Sequence, residues 1–337
     1  MRIVVIGCGS IGERHASNAL VWGEVGIVDS NPARSQILTD KGAHAFTTID
    51  EALDWSPDAI IIATPHDSHM DVAHQVLASE ASILIEKPLT VSMDEAHAFL
   101  NAAREVRRAD RIYGMCNLRF HAGPATLKAN MDKIGKPLFA RLHFGSYLPA
   151  MRPNRDYRSV YAAHHDQGGG VVLDTIHEID LACWLMGEVE QVGGAAARLS
   201  SLEMDAEDFA EIHLAHASGA RSQVHMDYLQ RLKTRGCEIV GEDGTLTWRS
   251  VGKRPERMTV ELLSSDETVT TLASNDAVNA GDMFEKLMED FVQSVKHPAS
   301  SRLQTLEEAV RALAVTLSMR MGPEVLEHWR NLGKPPQ

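Results

Sequence analysis

The segment at residues 7–12, Gly-Cys-Gly-Ser-Ile-Gly, has glycines at a spacing that suits phosphate binding. It follows an apolar run at residues 2–6 and opens a helical pattern at residues 11–21. In this context the first glycine permits a tight turn, the second lets the backbone approach a pyrophosphate, and the third allows close helix–strand packing. The N–H groups at the start of the helix then face the phosphates. The predicted dinucleotide contacts in this segment are Gly7, Gly9, Ser10, Ile11 and Gly12.

An aspartate lies where such a site needs a carboxylate. Asp29 ends the second apolar run, about 20 residues beyond the first glycine, and a carboxylate there accepts hydrogen bonds from the ribose hydroxyls. The following residues 30–32, Ser-Asn-Pro, provide no arginine or lysine for a 2′-phosphate. The sequence therefore favours NAD over NADP.

Two further residues have the chemistry that hydride transfer to a nicotinamide would need. Oxidation of an alcohol also requires a group that takes the hydroxyl proton, and histidine has a pKa near the working pH. His177 follows a glycine run at residues 168–170 and opens a predicted helix, so a loop could present it to a substrate. Lys87 directly follows a buried apolar run, at the sheet edge where ligands bind in doubly wound folds.

The elements that must position these residues alternate in the first part of the chain. Continuous apolar runs separated by helical patterns are typical of strands buried on both faces of a parallel sheet. We therefore predict an α/β fold in which residues 1–118 form a Rossmann domain with a doubly wound parallel sheet. The predicted strands are residues 2–6, 24–28, 43–46, 58–63, 82–86 and 112–116, and the helices are 11–21, 32–41, 49–54, 67–78 and 92–108.

Residues 119–337 have a different pattern, in which several strands follow one another. This pattern predicts an α+β domain with a mostly antiparallel open sheet, which we expect to include the C-terminal helices. A frayed tail is expected at residues 333–337. The predicted helices are residues 122–133, 175–186, 279–296 and 304–321, and the strands are 137–147, 208–216, 220–228, 236–241, 244–249, 257–263 and 267–272.

Composition limits the partners of the chain. Its 337 residues suit two domains, and its net charge of −13 disfavours binding to nucleic acid or to anionic membranes. The four cysteines are widely spaced and form no CxxC pair, which is typical of a reducing compartment. No apolar stretch approaches the roughly 18 residues of a membrane span. We expect a cytoplasmic protein.

Beyond the glycine segment, several short sequences resemble the glucose–fructose oxidoreductase/inositol dehydrogenase (Gfo/Idh/MocA) family. Residues 86–90 read Glu-Lys-Pro-Leu-Thr after the fifth predicted strand, and Thr64-Pro65 follows the fourth. Residues 169–171, Gly-Gly-Val, lead into residues 174–180, Asp-Thr-Ile-His-Glu-Ile-Asp. Residues 237–244 are similar to a stretch of inositol dehydrogenases. The likeness spans most of the chain.

The resemblance implies hydride transfer between a nicotinamide and a secondary hydroxyl of a sugar, polyol or sugar derivative. It implies that Lys87 bridges the substrate hydroxyl and the nicotinamide ribose and that His177 transfers the proton. It also implies a homodimer or homotetramer that assembles through the open C-terminal sheet. The further cofactor contacts that it implies are Thr64, Pro65, His69, Glu86 and Lys87.

The sequence does not decide which carboxylate supports His177. Many family members place an aspartate four residues before this histidine, where this chain has Leu173. Asp174, three residues before His177, is expected to orient it or to bind substrate, because both lie on one face of a helix. Asp180, three residues after His177, is the alternative partner.

Other substrate contacts are expected in loops. Asn117 and Arg119 follow the sixth strand, where the cleft is expected, and they either bind substrate or tie the domains together. An arginine-rich loop offers Arg155, Arg158 and Tyr161 to an anionic or nucleotide-linked substrate. Alternatively, these arginines pair with the protein's own carboxylates or with a neighbouring subunit.

The sequence also bears on three alternatives to a metal-free dehydrogenase: a metal site, a glycosidase and a sensor. Histidines cluster at residues 66–74 and again at 164–165 beside Asp166, but neither spacing matches a zinc site, so no metal is expected. A glycosidase that uses NAD in a transient oxidation would release no NADH, whereas a dehydrogenase does. A non-enzymatic sensor is expected to lack Lys87 or His177, and both are present.

Overall fold

In the computed structural model, which describes residues 1–298 and 301–332, two sheets organise two units of the chain. The first unit comprises Met1–Asn117 and Gly281–Leu313. The second comprises Leu118–Ala280 and the described part of Ala314–Gln337. The tail that was expected to fray, residues 333–337, lies outside the described residues.

Sheet A of the first unit has the strand order β15-β6-β5-β4-β1-β2-β3. Its strands pair in parallel except for β15, which runs antiparallel to β6. The strands are β1 (Arg2–Ile6), β2 (Glu24–Val28), β3 (His44–Phe46), β4 (Ala59–Ile62), β5 (Ser82–Ile85), β6 (Ile112–Gly114) and β15 (Gln304–Thr305). The order reverses between β1 and β4, and the carboxyl ends of strands at such a switch point form the ligand crevice of doubly wound sheets.

The helices of the first unit connect these strands. They are α1 (Ser10–Ala19), α2 (Pro32–Thr39), α3 (Ile49–Asp54), α4 (His69–Val76), α5 (Met93–Glu105) and α10 (Asp282–Lys296). Side-chain caps begin three of them, because Asn31, Thr48 and Ser92 each accept a backbone N–H from the first turn. The continuous apolar strands are buried as predicted, with all of β4 inaccessible to solvent.

The first unit departs from the predicted division at residue 118 because a later segment returns to it. Helix α10 packs its apolar face on α1 and β5, and Phe291 contacts the ring of Tyr113 edge-on. Strand β15 then pairs with β6 and closes one edge of sheet A. Helix α11 (Leu306–Met321) begins in the first unit, and its residues from Ala314 onward belong to the second.

Sheet B of the second unit has the order β14-β13-β12-β11-β7-β10-β9-β8, with antiparallel pairing except between β7 and β10. This confirms the expected α+β domain. The strands are β7 (Pro137–Gly145), β8 (Val189–Ala197), β9 (Phe209–His216), β10 (Arg221–Asp227), β11 (Thr234–Gly241), β12 (Gly244–Val251), β13 (Glu256–Ser264) and β14 (Val269–Val278). Strand β8 was not predicted.

One face of sheet B is covered by helices. Helix α9 packs on β7 and β10, and α6 packs on β12 and β13, so that alternate strand residues such as Leu142, Val224 and Trp248 are buried. The helices of this unit are α6 (Ala122–Ala129), α7 (Leu148–Met151), α8 (Val171–Asp174), α9 (Ile176–Met186) and α12 (Glu324–Leu332). Among the residues described, no helix has both the length and the apolar character that a bilayer crossing requires.

Candidate active site

The glycine segment between β1 and α1 has the geometry of a phosphate cradle. Gly7 adopts a φ of +91°, and a Cβ there would lie 2.6 Å from the carbonyl oxygen of Ala63. A Cβ at Gly12 would lie 1.8 Å from the oxygen of Gly7, so both positions require glycine. A Cβ at Gly9, in contrast, would meet no atom within 4 Å, which leaves space beside the start of α1.

The side chains around this cradle are consistent with a bound dinucleotide. Gly9 precedes α1 without a side-chain cap, so the first N–H groups of the helix are available to an anion. Ser10 is exposed and Ile11 half-buried at the start of that helix. The buried hydroxyl of Thr64, which follows β4, has no hydrogen-bond partner among the described residues, and the adjacent Pro65 is exposed. These features fit NAD, because its pyrophosphate accepts hydrogen bonds. They are the Thr64 hydroxyl, the open space at Gly9 and the uncapped start of α1.

Asp29 is held rigidly at the end of β2. Its Oδ2 accepts the backbone N–H of Cys8 at 2.6 Å, and its Oδ1 accepts that of Asn31 at 2.7 Å. One neighbour of Asp29 was not predicted: Nη1 of Arg34 lies 3.8 Å from Asp29 Oδ2. The position of Arg34 in the first turn of α2 could have predicted this contact, because the side chains of a first turn lie beside the residue that ends the preceding strand.

Lys87 follows β5 and is anchored through its neighbour Glu86. Glu86 Oε2 accepts the backbone N–H of Lys87 at 3.0 Å, and Glu86 Oε1 accepts Nε2–H of His15 at 2.9 Å. Burial alone would raise the pKa of Glu86, but the hydrogen bond and charge of His15, together with Lys87, lower it. Glu86 is therefore an ionised anchor between α1 and the loop that carries Lys87. The Lys87–Pro88 peptide is cis.

His69, expected to contact the cofactor, is buried between two backbone carbonyls. Its Nδ1 lies 3.0 Å from the oxygen of Pro88, and its Nε2 lies 2.9 Å from the oxygen of Thr64. Burial lowers its pKa, although the two carbonyls oppose this effect. The ring thus connects the loop that follows β4 to the loop that follows β5. Because it is also only 1% exposed, we propose a positioning role for it.

In the second unit, residues distant in sequence hold the glycine run before His177 in place through hydrogen bonds. Gly170 has a φ of +98°, and its neighbour Val171 donates its N–H to the carbonyl of Glu207 at 2.9 Å. The carboxylate of Glu207 caps α8 through Val172 N–H at 3.2 Å. Arg320 donates to Glu207 Oε1 and Oε2 at 2.8 and 2.9 Å and also to the carbonyl of Gly169. The sequence offered no signal for Glu207 or Arg320.

Asp174 accepts hydrogen bonds from two phenols. Tyr161 donates to its Oδ1, and Tyr228 donates to its Oδ2 at 2.8 Å. Burial and the neighbouring Asp174 raise the pKa of Tyr228 well above its ordinary value, so this hydroxyl remains a donor. Tyr161 was predicted to bind substrate, and Tyr228 was not predicted at all. Asp174 also lines a small cavity of about 30 Å³ with residues of α7 and of the following loop.

The other carboxylate near His177 forms a buried ion pair. Asp180 accepts Nε of Arg119 at 2.9 Å and Nη2 at 2.6 Å, with both side chains 3% exposed. This bidentate pair ties α9 to the short helix Asn117–Phe120. Asp174 therefore remains our proposed neighbour for His177. Asn117 is half-buried at the end of the first unit, and its expected role in binding stays a prediction.

The arginine-rich loop only partly matches its expected role. Arg158 donates to both oxygens of Asp156, at 2.9 and 3.0 Å, and lies 3.3 Å from Glu203. The alternative interpretation, pairing with the protein's own acids, therefore describes Arg158. Arg155 is exposed. In the same region, ligand atoms of His164, Asp166 and Asp205 lie within 4.8 Å of one another, but the two aspartates are exposed, and such groups are common without an ion.

Comparisons with known proteins identify a family for both units of the chain. A family model of GFO/IDH/MocA proteins, described as an oxidoreductase family with an NAD-binding Rossmann fold, matches residues 1–110. A model of the GFO/IDH/MocA C-terminal domain matches residues 126–247.

Individual relatives agree with these family models. The scyllo-inositol 2-dehydrogenase (NAD(+)) of Bacillus subtilis (strain 168) is 26% identical over 271 residues, which cover 73% of each chain. The myo-inositol 2-dehydrogenase of Thermotoga maritima is 30% identical over 203 residues, which cover 57% of each chain. An oxidoreductase from Agrobacterium radiobacter, crystallised with NAD+, L-tartaric acid and magnesium, has the same fold, with a TM-score of 0.80, 19% identity and 96% coverage of both chains. The chain belongs to the GFO/IDH/MocA oxidoreductase family.

Proposed function

We propose that this protein is an NAD-dependent dehydrogenase or reductase that transfers a hydride between the nicotinamide and a secondary hydroxyl carbon of a sugar or polyol. Membership of an NAD-binding oxidoreductase family supports the cofactor and the reaction class. Relatives that are inositol dehydrogenases support the substrate class. The observation that carries the proposal is Lys87, which lies two residues after the end of β5, at the sheet edge that also bears the glycine cradle.

NAD, when bound, accepts or returns the hydride at its nicotinamide ring. In the oxidative direction, we assign Lys87 to the substrate oxygen, where its ammonium group donates a hydrogen bond and lowers the pKa of the hydroxyl. His177 takes the hydroxyl proton while the carbon loses its hydride and becomes a carbonyl carbon. Asp174, held by two phenols, accepts a hydrogen bond from the substrate or orients His177.

The test is a panel of sugars and polyols, incubated with the protein and NAD and monitored by NADH absorbance. Net NADH formation with at least one cyclic polyol or sugar is the expected result. Product release without net NADH would instead identify the glycosidase that uses NAD transiently. If no compound is converted, although NAD binds at the glycine cradle, the proposed activity is wrong.

We propose that the protein assembles as a homodimer or homotetramer through the outer face of sheet B, opposite α6 and α9. This face carries half-exposed or exposed side chains that a partner would cover, including Phe139, His143 and Leu263. Light scattering after size exclusion should give the mass of two or four chains. We also propose a cytoplasmic location, because a reducing compartment keeps cysteines as thiols, and all four cysteines of the chain are thiols: Cys8, Cys116, Cys183 and Cys237.

A further inference from the structure

Three cations of the second unit converge on the segment at residues 147–152, between β7 and the arginine-rich loop. The guanidinium of Arg231 stacks 3.7 Å from the ring centroid of Tyr147. The ammonium group of Lys253 donates to the carbonyl of Met151. Arg152 follows Met151 directly and lines the same small cavity as Asp174. Elements that are far apart in sequence therefore bring their positive charges to one short segment.

These cations are not neutralised by nearby carboxylates. Within residues 1–298 and 301–332, none of the three has a carboxylate oxygen within 4.0 Å, whereas the neighbouring Lys233 lies 3.0 Å from Glu256. Burial lowers the pKa of Lys253, and the charges of Arg254, Lys233 and Arg152 lower it further, which indicates crowding of positive charge. Such a cluster is unusual in a chain whose net charge is −13.

The donors of this cluster remain available. Arg231 lies over an aromatic ring, a contact that uses none of its N–H donors, so these can still form a fork toward an oxyanion. Lys253 uses one of its three N–H donors on Met151 and retains two. Arg152 is exposed, and it lines the cavity. An anion would therefore bind at the mouth of the cavity, over residues 147–152.

We propose that Arg152, Arg231 and Lys253 form a subsite for an oxyanion, a carboxylate or a phosphate, carried by the sugar substrate. The inference rests on the proposed function, because it assigns the substrate class of that activity. Asp174 in the cavity wall is an acceptor for neutral hydroxyls, so the two features together select a hydroxylated anion. The subsite replaces Arg158, which is already paired, as the anion contact.

The experiment measures binding to the full-length, NAD-saturated protein by calorimetry. The probes are inorganic phosphate, then D-glucose beside D-glucose 6-phosphate and D-glucuronate, which separate phosphate from carboxylate. The variants are Arg152→Ala and Lys253→Ala, with Lys136→Ala as the control, because Lys136 is an exposed lysine of the same unit and its loss changes net charge equally. Thermal unfolding checks that each variant is folded.

We expect phosphate or an anionic sugar to bind, and Arg152→Ala and Lys253→Ala each to weaken it about tenfold or more, or about 1.4 kcal/mol. The control should bind as the wild type does. Equal weakening of neutral and anionic probes, unchanged binding in both variants, or no anion binding to the wild type would overturn the subsite. NADH formation across the whole panel, from neutral polyols and anionic sugars alike, tests the proposed function separately, since it can succeed when the subsite fails and fail when the subsite binds.

Discussion

Nε2 of His15 lies 2.9 Å from Oε1 of Glu86, and both side chains are buried. The second oxygen of Glu86 accepts the N–H of Lys87. The helix that begins in the glycine cradle is thus joined, through one buried pair, to the residue that we propose at the substrate oxygen. His69 connects the same loop to the one after β4.

Replacing His15 by Ala should lower kcat more than it raises the KM for NAD. Without His15 the buried Glu86 loses a hydrogen bond, so it no longer fixes the position of Lys87. Misplacing a catalytic group by about 1 Å can lower the rate ~10²-fold. Removing one partner of a buried pair should also cost about 3–5 kcal/mol of unfolding free energy. Steady-state kinetics and denaturant unfolding measure both effects. His44→Ala, at a mostly exposed strand position, is the control, and a lowered stability with unchanged kcat would show a purely structural role.

Lys87→Ala and His177→Ala should each reduce turnover while NAD binding persists. Positioned proton transfer is commonly worth ~10²–10⁴-fold, so losses in that range are expected for His177→Ala. The measurements are kcat on the identified substrate and the NAD dissociation constant. Near-normal turnover in either variant would remove that residue from the mechanism.

Replacing Asp29 by Asn should relax the preference for NAD. The amide keeps an acceptor for Cys8 or Asn31 but removes the charge that repels a 2′-phosphate. Arg34, now unopposed, should contact that phosphate and improve NADP affinity about tenfold, or ~1.4 kcal/mol. Fluorescence titration with both cofactors measures the change. The double variant Asp29→Asn/Arg34→Ala should lose the gain, and a gain that persists without Arg34 would contradict its role.

Stability should fall as the pH rises through the pKa of His225. A hydrogen bond to Asp227 and a second to Glu211 raise this pKa to about 8 against the opposing effect of burial, with Phe209 and His143 also nearby. Because the folded pKa exceeds the unfolded value of about 6.5, the stabilisation is complete below that pH and is lost above about pH 8.

The loss should reach up to about 2 kcal/mol, by the rule of 1.36 kcal/mol per pKa unit. Urea unfolding at a series of pH values measures it. In His225→Gln, which cannot take up the proton, the free energy of unfolding should vary less over the same range. An equally steep dependence in this variant would assign the effect to other groups.

The sequence predicted most of the first unit because its signals are local. Continuous apolar runs separated by helical patterns located β1, β2, β4 and β5, and the glycine spacing located the cradle. Strand β8 lacked such a signal, since its two valines, Val189 and Val192, are followed by Gly-Gly-Ala-Ala-Ala, which has neither β-branched residues nor alternation.

The candidate site was less predictable because its supports come from distant parts of the chain. Tyr228 donates a hydrogen bond to Asp174, and Arg320 donates one to Glu207. Both contacts join residues far apart in the chain, so no short sequence pattern predicts them. The family resemblance implied a cofactor contact for His69, but the contacts of its ring with the carbonyls of Pro88 and Thr64 depend on residues that no short pattern connects. Arg34 was not predicted because it lies beyond the residues that directly follow Asp29, and the first turn of α2 brings it back to the carboxylate.

The return of residues 281–313 to the first unit affects how the chain can fold during synthesis. A nascent chain that ends at residue 117 lacks α10 and β15, so the edge of β6 has unpaired N–H and C=O groups, and apolar surface on α1 and β5 is uncovered. Most of the second unit must leave the ribosome before that edge is closed. A fragment of residues 1–117 should therefore aggregate more readily than one to which residues 281–313 are joined by a linker.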